Sequence, residues 1–163
     1  MKVLGIDPGT ANCGYGIVHE SGGRLQAVGH GSWSTPAGER LELRLKTIFD
    51  GVAELIDRHG PDAVAIEESF VGADARTALS VGQARGVVMV ACAHAGVACA
   101  EYSPTRVKQM VCGYGRAEKV QVQKMVSVIL GLAEPPSPTH AADALAVAIC
   151  HALAPPLLEV VAG

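Results

Sequence analysis

Four residues carry the chemistry open to this sequence. Asp7 closes a short apolar run, Val3 to Asp7, and Glu67 closes another, Ala63 to Glu67. His140 and Asp143 stand three apart near the start of an Ala-rich stretch of helical character. Residues at i and i+3 share one face of a helix, so these two can point at one place. An ionised carboxylate at the end of a buried strand is costly unless something compensates it. A divalent cation is an efficient compensator, and carboxylates arriving from separate elements suit magnesium or manganese. Two such ions about 3.5–4 Å apart can activate water and stabilise a leaving oxygen in phosphodiester hydrolysis. Each residue also has a plainer explanation. Asp before Pro8-Gly9 is a turn residue whose side chain bonds the backbone. Glu67 and Glu68 read equally as the solvated end of a strand, and His140 and Asp143 as first-turn helix residues, the aspartate favoured by the helix dipole. Spacing alone leaves a metal site and four unrelated polar positions both open.

Bringing those residues together requires a particular order of elements. Val3 to Asp7 ends at Pro8-Gly9 as a buried strand ends at a turn. Cys13 to Glu20 can pair back on it as a hairpin, with Leu25 to Ser34 as a third strand after Ser21-Gly22-Gly23. A helix follows, with Thr35 as its cap, Pro36 at its first position, and Leu41, Leu45, Ile48, Val52 and Leu55 at helical spacing. Gly60-Pro61 ends it. Ala63 to Glu67 is the fourth strand, Ala73 to His94 a helix, and Val97 to Tyr102 the fifth strand. Ser103-Pro104 and Ser137-Pro138 each read as a cap followed by proline, opening helices on either side of one from Ala117 to Leu130. The order βββαβαβααα predicts a mixed sheet with helices packed on it, an α/β domain.

The 163 residues, 49% of them apolar, suit a single ordinary domain and exclude disorder as the general state. A net charge of −3 argues against a general polyanion binder. That average conceals an asymmetry. Arg106, Lys108, Arg116, Lys119 and Lys124 face one acid, Glu118, so residues 106–124 carry +4 while the rest of the chain carries −7. A solvated helix surface explains such a run, and so does a face that meets phosphates. Gly113 and Gly115 open a turn inside it that suits close approach to a nucleic-acid backbone. Phe70 is one of only two phenylalanines and lies in a loop-like stretch after the strand-end acids. A core position is the default for any phenylalanine.

In order, Leu4-Gly5-Ile6-Asp7-Pro8-Gly9-Thr10 with Gly14-Tyr15-Gly16, then Ala65-Ile66-Glu67, then Ser80-Val81-Gly82-Gln83-Ala84-Arg85-Gly86, resemble motifs of the RuvC family of Holliday-junction resolvases. Val107-Lys108-Gln109, Gly115-Arg116-Ala117-Glu118-Lys119 and His140-Ala141-Ala142-Asp143-Ala144-Leu145-Ala146 continue the resemblance to about residue 151. It implies a ribonuclease H-like fold, a five-stranded mixed sheet with helices on both faces, forming one nuclease domain over residues 1–163 with a flexible tail from about 155. It implies a homodimeric, metal-dependent DNA endonuclease that nicks two opposed strands of a four-way junction. Asp7, Glu67, His140 and Asp143 fall on the catalytic, metal-binding positions, for Mg2+ or Mn2+ and two ions per site. Phe70 falls on a base-stacking wedge, and Lys108 and Lys119 on DNA contacts, with Arg76 and Arg116 as further DNA-binding candidates. The RuvA–RuvB branch-migration complex is the implied partner. Many family members have Asp where this chain has His140. A neutral imidazole removes a negative charge and is softer than carboxylate, which shifts the expected preference towards manganese.

Other functions leave their own signatures. The Asp7-Pro8-Gly9-Thr10 turn also resembles the phosphate loop of the actin and sugar-kinase superfamily, but that architecture needs a second domain and a second loop. A ribonuclease H-like nuclease on another nucleic acid shares the chemistry, and a non-catalytic junction scaffold shares the binding. The five cysteines show no C-x-x-C spacing and read as small buried hydrophobes in a reducing cytoplasm. The opening Met1-Lys2-Val3-Leu4-Gly5-Ile6-Asp7 predicts no signal peptide. The longest uncharged runs fall short of the roughly 20 residues that span a bilayer.

Overall fold

The computed structural model describes residues 1–68 and 74–154. Phe70, the residues on either side of it and the tail from residue 155 lie outside the described residues. The elements are β1 (Lys2–Asp7), β2 (Asn12–Ser21), β3 (Arg24–Ser34), α1 (Leu41–His59), β4 (Ala63–Glu67), α2 (Ala75–Ala95), β5 (Ala98–Tyr102), α3 (Pro104–Cys112), α4 (Lys119–Leu130) and α5 (Thr139–Leu153). The sheet runs β3-β2-β1-β4-β5. β1 pairs antiparallel with β2 and parallel with β4, β2 is antiparallel to β3, and β4 is parallel to β5. The sheet is therefore mixed, as the element order predicts.

Alternation along the strands sorts two cores. Leu4, Ile6, Ile17, Val64 and Ile66 face α1 and α2, where Ile48, Val52, Ala84 and Val88 meet them. Val3, Val18 and Ala65 face α3, α4 and α5, against Val107, Val126 and the buried run Leu145 to Cys150. Helices thus cover both faces. Asp7 continues the parity of Val3, so its side chain falls on the α5 face.

Glycines set how closely α5 can lie. A Cβ on Gly5 would stand 2.0 Å from the Ala144 carbonyl oxygen, and one on Gly14 would stand 2.0 Å from the His140 carbonyl oxygen. With no side chain at either position, α5 crosses β1 and β2 almost backbone to backbone, through its buried Ala141, Ala144 and Ala148. Gly14 is also the register partner of Asp7. The glycines therefore bring the first turn of α5 over the end of β1.

Two helix starts differ from expectation. α1 begins at Leu41 with Arg40 at its cap; the Thr35 hydroxyl donates to the Thr10 carbonyl and accepts from Arg44 Nε instead of capping a helix. The first predicted core leucine, Leu41, is exposed as a result. α5 begins at Thr139: Pro138, after a cis Ser137–Pro138 peptide, is the residue before the helix and its carbonyl accepts from Ala141 and Ala142. Ser103 and Pro104 behave as predicted, the serine hydroxyl accepting from the Arg106 amide at 3.2 Å. All five cysteines are free. Among the described residues no helix is long and apolar enough to cross a membrane.

Candidate active site

Parallel pairing of β1 with β4 matches Ile6 with Ile66. One step further along each strand brings Asp7 and Glu67 to the same end of the sheet, and both line one cavity of about 490 Å³. α5 adds His140 and Asp143 to that cavity, and α3 and α4 add Lys108 and Lys119.

Asp7, His140 and Asp143 each offer a ligand atom, all within 4.8 Å of one another. His140 Nδ1 lies 2.9 Å from Asp7 Oδ2, and Lys119 Nζ donates to Asp143 Oδ2 at 2.8 Å. The hydrogen bond to Asp7, helped by the charges of Asp7 and Asp143, raises the His140 ring above its ordinary value although partial burial works the other way. The hydrogen bond to Asp143 likewise raises Lys119. Asp143 itself is raised, because burial outweighs the single ammonium beside it and Asp7 adds like charge. The acids are thus held against cationic or protonatable neighbours, the arrangement expected where buried negative charge awaits a stronger compensator.

The donor set fits a divalent cation. Hard carboxylate oxygens from two strands and a helix suit magnesium or manganese, and the single imidazole is compatible with the softer of the two. No sulfur ligand lines the cavity among the described residues.

Of the residues singled out in the sequence, Asp7, Glu67, His140, Asp143, Lys108 and Lys119 come together around this cavity. Arg76, on the first turn of α2, and Arg116, before α4, are exposed and do not line it. Lys119, expected on the DNA side, is also the ion-pair partner of Asp143. Thr10, Asn12, Thr77 and Ser80, none of them singled out as a site residue from the sequence, also line the cavity and give it hydroxyl and amide groups. Thr10 follows the Asp7-Pro8-Gly9 turn directly and was within reach of a motif argument. Ser80 opens the Ser80 to Gly86 motif, but nothing in its spacing pointed it at the acids.

A mixed five-stranded sheet with acids at adjacent strand ends, opposed by a helix bearing His and Asp, defines a nuclease of the ribonuclease H-like class. Comparison with known proteins narrows this. The family model for crossover junction endodeoxyribonuclease RuvC matches residues 3–151. The chain is 54% identical over 152 residues to the crossover junction endodeoxyribonuclease RuvC of Moorella thermoacetica, covering 93% of this chain and 91% of that protein. It is 52% identical over 159 residues to the RuvC of Chloroflexus aggregans, covering 98% and 97% of the two chains. The structure of Thermus thermophilus RuvC in complex with a Holliday junction substrate superposes with a TM-score of 0.89 at 42% identity, covering 93% of each chain. The chain belongs to the RuvC family of crossover junction endodeoxyribonucleases.

Proposed function

We propose that this chain resolves four-way DNA junctions by hydrolysing one phosphodiester bond on each of two opposed strands, with divalent cations held by Asp7, Glu67, His140 and Asp143. The observation that carries the proposal is the convergence of Asp7, His140 and Asp143 within 4.8 Å, beside Lys108 and Lys119 in one cavity. Bound Mg2+ or Mn2+, two per site, would supply Lewis-acid activation of water and stabilisation of the departing oxygen. The chain's own residues do the rest. Asp7, fixed at the end of β1, offers two oxygens between the other ligands. Asp143 would help hold the cation, which would free the Lys119 ammonium for the phosphate, and Lys108 would hold the backbone from the neighbouring helix. Water adds to phosphorus, the bond to the 3′ oxygen breaks, and the products are a 5′ phosphate and a 3′ hydroxyl that a ligase can rejoin.

Two symmetric cuts need two sites, so the active species is a homodimer. α2 offers the surface: Leu79 and Val90 are 62% and 60% exposed, while Val88 and Ala91 on its other side are buried. Gly82 and Gly86 leave room for close approach beside Leu45 and Phe49. Within 86–97, Val88, Ala91 and Cys92 are buried while Met89 and Val90 are exposed. Arg76 and Arg116 extend the cationic surface for the junction arms, and Phe70 is assigned to stacking on an unpaired base, worth roughly 1–3 kcal/mol. The whole chain acts as one nuclease domain in the cytoplasm, where thiols stay reduced and DNA is accessible, receiving junctions from the RuvA–RuvB complex. Chelation of divalent cations tests the core of the proposal: cleavage of a synthetic junction stops while the junction stays bound. Cleavage that persists in a chelator contradicts it.

A further inference from the structure

The Asp7 carboxylate sits at the last residue of β1, paired with Gly14, where the turn into β2 begins. Side chains from two helices and a loop hold that turn. The Thr10 and Ser80 hydroxyls share a hydrogen bond, and the Thr10 amide lies 3.4 Å from the same Ser80 oxygen. On the other side the Thr35 hydroxyl donates to the Thr10 carbonyl, and Arg44 Nε donates to Thr35 Oγ1 at 2.8 Å. Thr10 and Thr35 are each only 7% exposed, so breaking one of these contacts leaves a largely buried polar group short of a partner.

We infer, resting on the nuclease assignment, that Ser80 is a positioning residue for the reaction: acting through Thr10, it fixes the turn that aims the Asp7 carboxylate at His140 and Asp143. Ser80 stands in the second turn of α2, in the wall of the same cavity as Asp7. The helix that carries Arg76 at its start is thereby tied to the acid at the end of β1. The role assigned to Ser80 requires no contact with the scissile phosphate or a cation. Its effect is geometric, and small displacements of a catalytic group cost rate steeply, about 100-fold for 1 Å.

The test uses four variants of the full chain, Ser80→Ala, Thr10→Val, the double variant and Thr10→Ser. Single-turnover junction cleavage is read beside junction affinity in a chelator and the melting temperature. The rate should fall about tenfold in Ser80→Ala and in Thr10→Val, and about tenfold again in total, not a hundredfold, in the double variant, because the two residues act through one contact. Thr10→Ser keeps the hydroxyl and should recover most of the rate. Affinity should hold within twofold and melting within a few degrees. A wild-type rate in Ser80→Ala, multiplicative losses in the double variant, or a rate loss matched by lost affinity or melting would each overturn the inference. A wild-type chain that cuts no junction would remove the nuclease assignment and this inference with it. A cutting wild type with an unaffected Ser80→Ala overturns the inference alone.

Discussion

His140 Nδ1 and Asp7 Oδ2 stand 2.9 Å apart although 133 residues separate them in the chain. Nothing local brings them together. α5 lies on the bare backbone of Gly5 and Gly14, and the side chain of its second residue reaches the end of β1. The contact sets the character of the site, since it adds an imidazole to the three carboxylates of Asp7, Glu67 and Asp143. Cleavage by the wild type should be faster in manganese than in magnesium, and His140→Asp should reverse or level that preference. Calorimetric titration with each metal should show the same shift in affinity. Equal or greater magnesium activity in the wild type contradicts this.

Gly14, like Gly5, is a position where the docking of α5 tolerates no side chain. An added methyl at 2.0 Å from the His140 carbonyl oxygen meets backbone, which no rotamer change can relieve. Gly14→Ala should lower unfolding stability by at least the ~1–3 kcal/mol typical of overpacking and displace His140 from Asp7. A urea titration measures the first effect, and unchanged stability would mean that α5 sits further from the sheet.

The strands were legible in the sequence because short apolar or partly alternating runs ended at Pro8-Gly9 and Ser21-Gly22-Gly23, and Gly60-Pro61 closed the helix before the fourth. The two acids at strand ends were legible for the same reason. What failed was local grammar overridden by distant partners. Thr35 before proline has the form of a helix cap, yet its hydroxyl is taken by Thr10, and the helix starts six residues later at Leu41. Ser137-Pro138 has the same form and also fails, since Pro138 stays extended and Thr139 opens the helix. The ion pair of Lys119 with Asp143 and the hydroxyl contact of Thr10 with Ser80 join residues 24 and 70 positions apart. No periodicity encodes such a pairing. It appears only when the strand order is known.

Lys119 should serve both the acids and the DNA. Lys119→Ala removes one phosphate contact, so the slope of log affinity against log salt should become shallower by about 0.9. Cleavage should fall further than binding, because Asp143 also loses its hydrogen-bond donor. An unchanged salt slope would show that the ammonium never leaves Asp143 for the phosphate.

Stability should depend on pH through His151, away from the acids. Burial lowers its pKa, and its Nδ1 lies 2.8 Å from the Tyr102 hydroxyl. Below about pH 6.5 the unfolded chain binds a proton that the folded ring resists, so this residue costs stability as pH falls from there through its folded pKa. His140, raised by Asp7, works in the opposite sense: its contribution is present below the unfolded value and is lost as pH rises through the folded one. Comparing wild type with His151→Phe isolates the first effect. The variant should lose less melting temperature between pH 7.5 and about 5. An equal loss in both proteins would assign the pH dependence elsewhere.

The central claim is paired hydrolysis of a four-way junction by the acids that Asp7 leads. The direct measurement is to incubate the chain with a synthetic junction and with matched linear duplex, in magnesium and separately in manganese, and to map nicks on all four strands beside Asp7→Asn. The account predicts nicks at symmetric positions on two opposed strands of the junction, none on the duplex and none with Asp7→Asn. Tight junction binding without nicks in either metal, or nicks that survive Asp7→Asn, would contradict it.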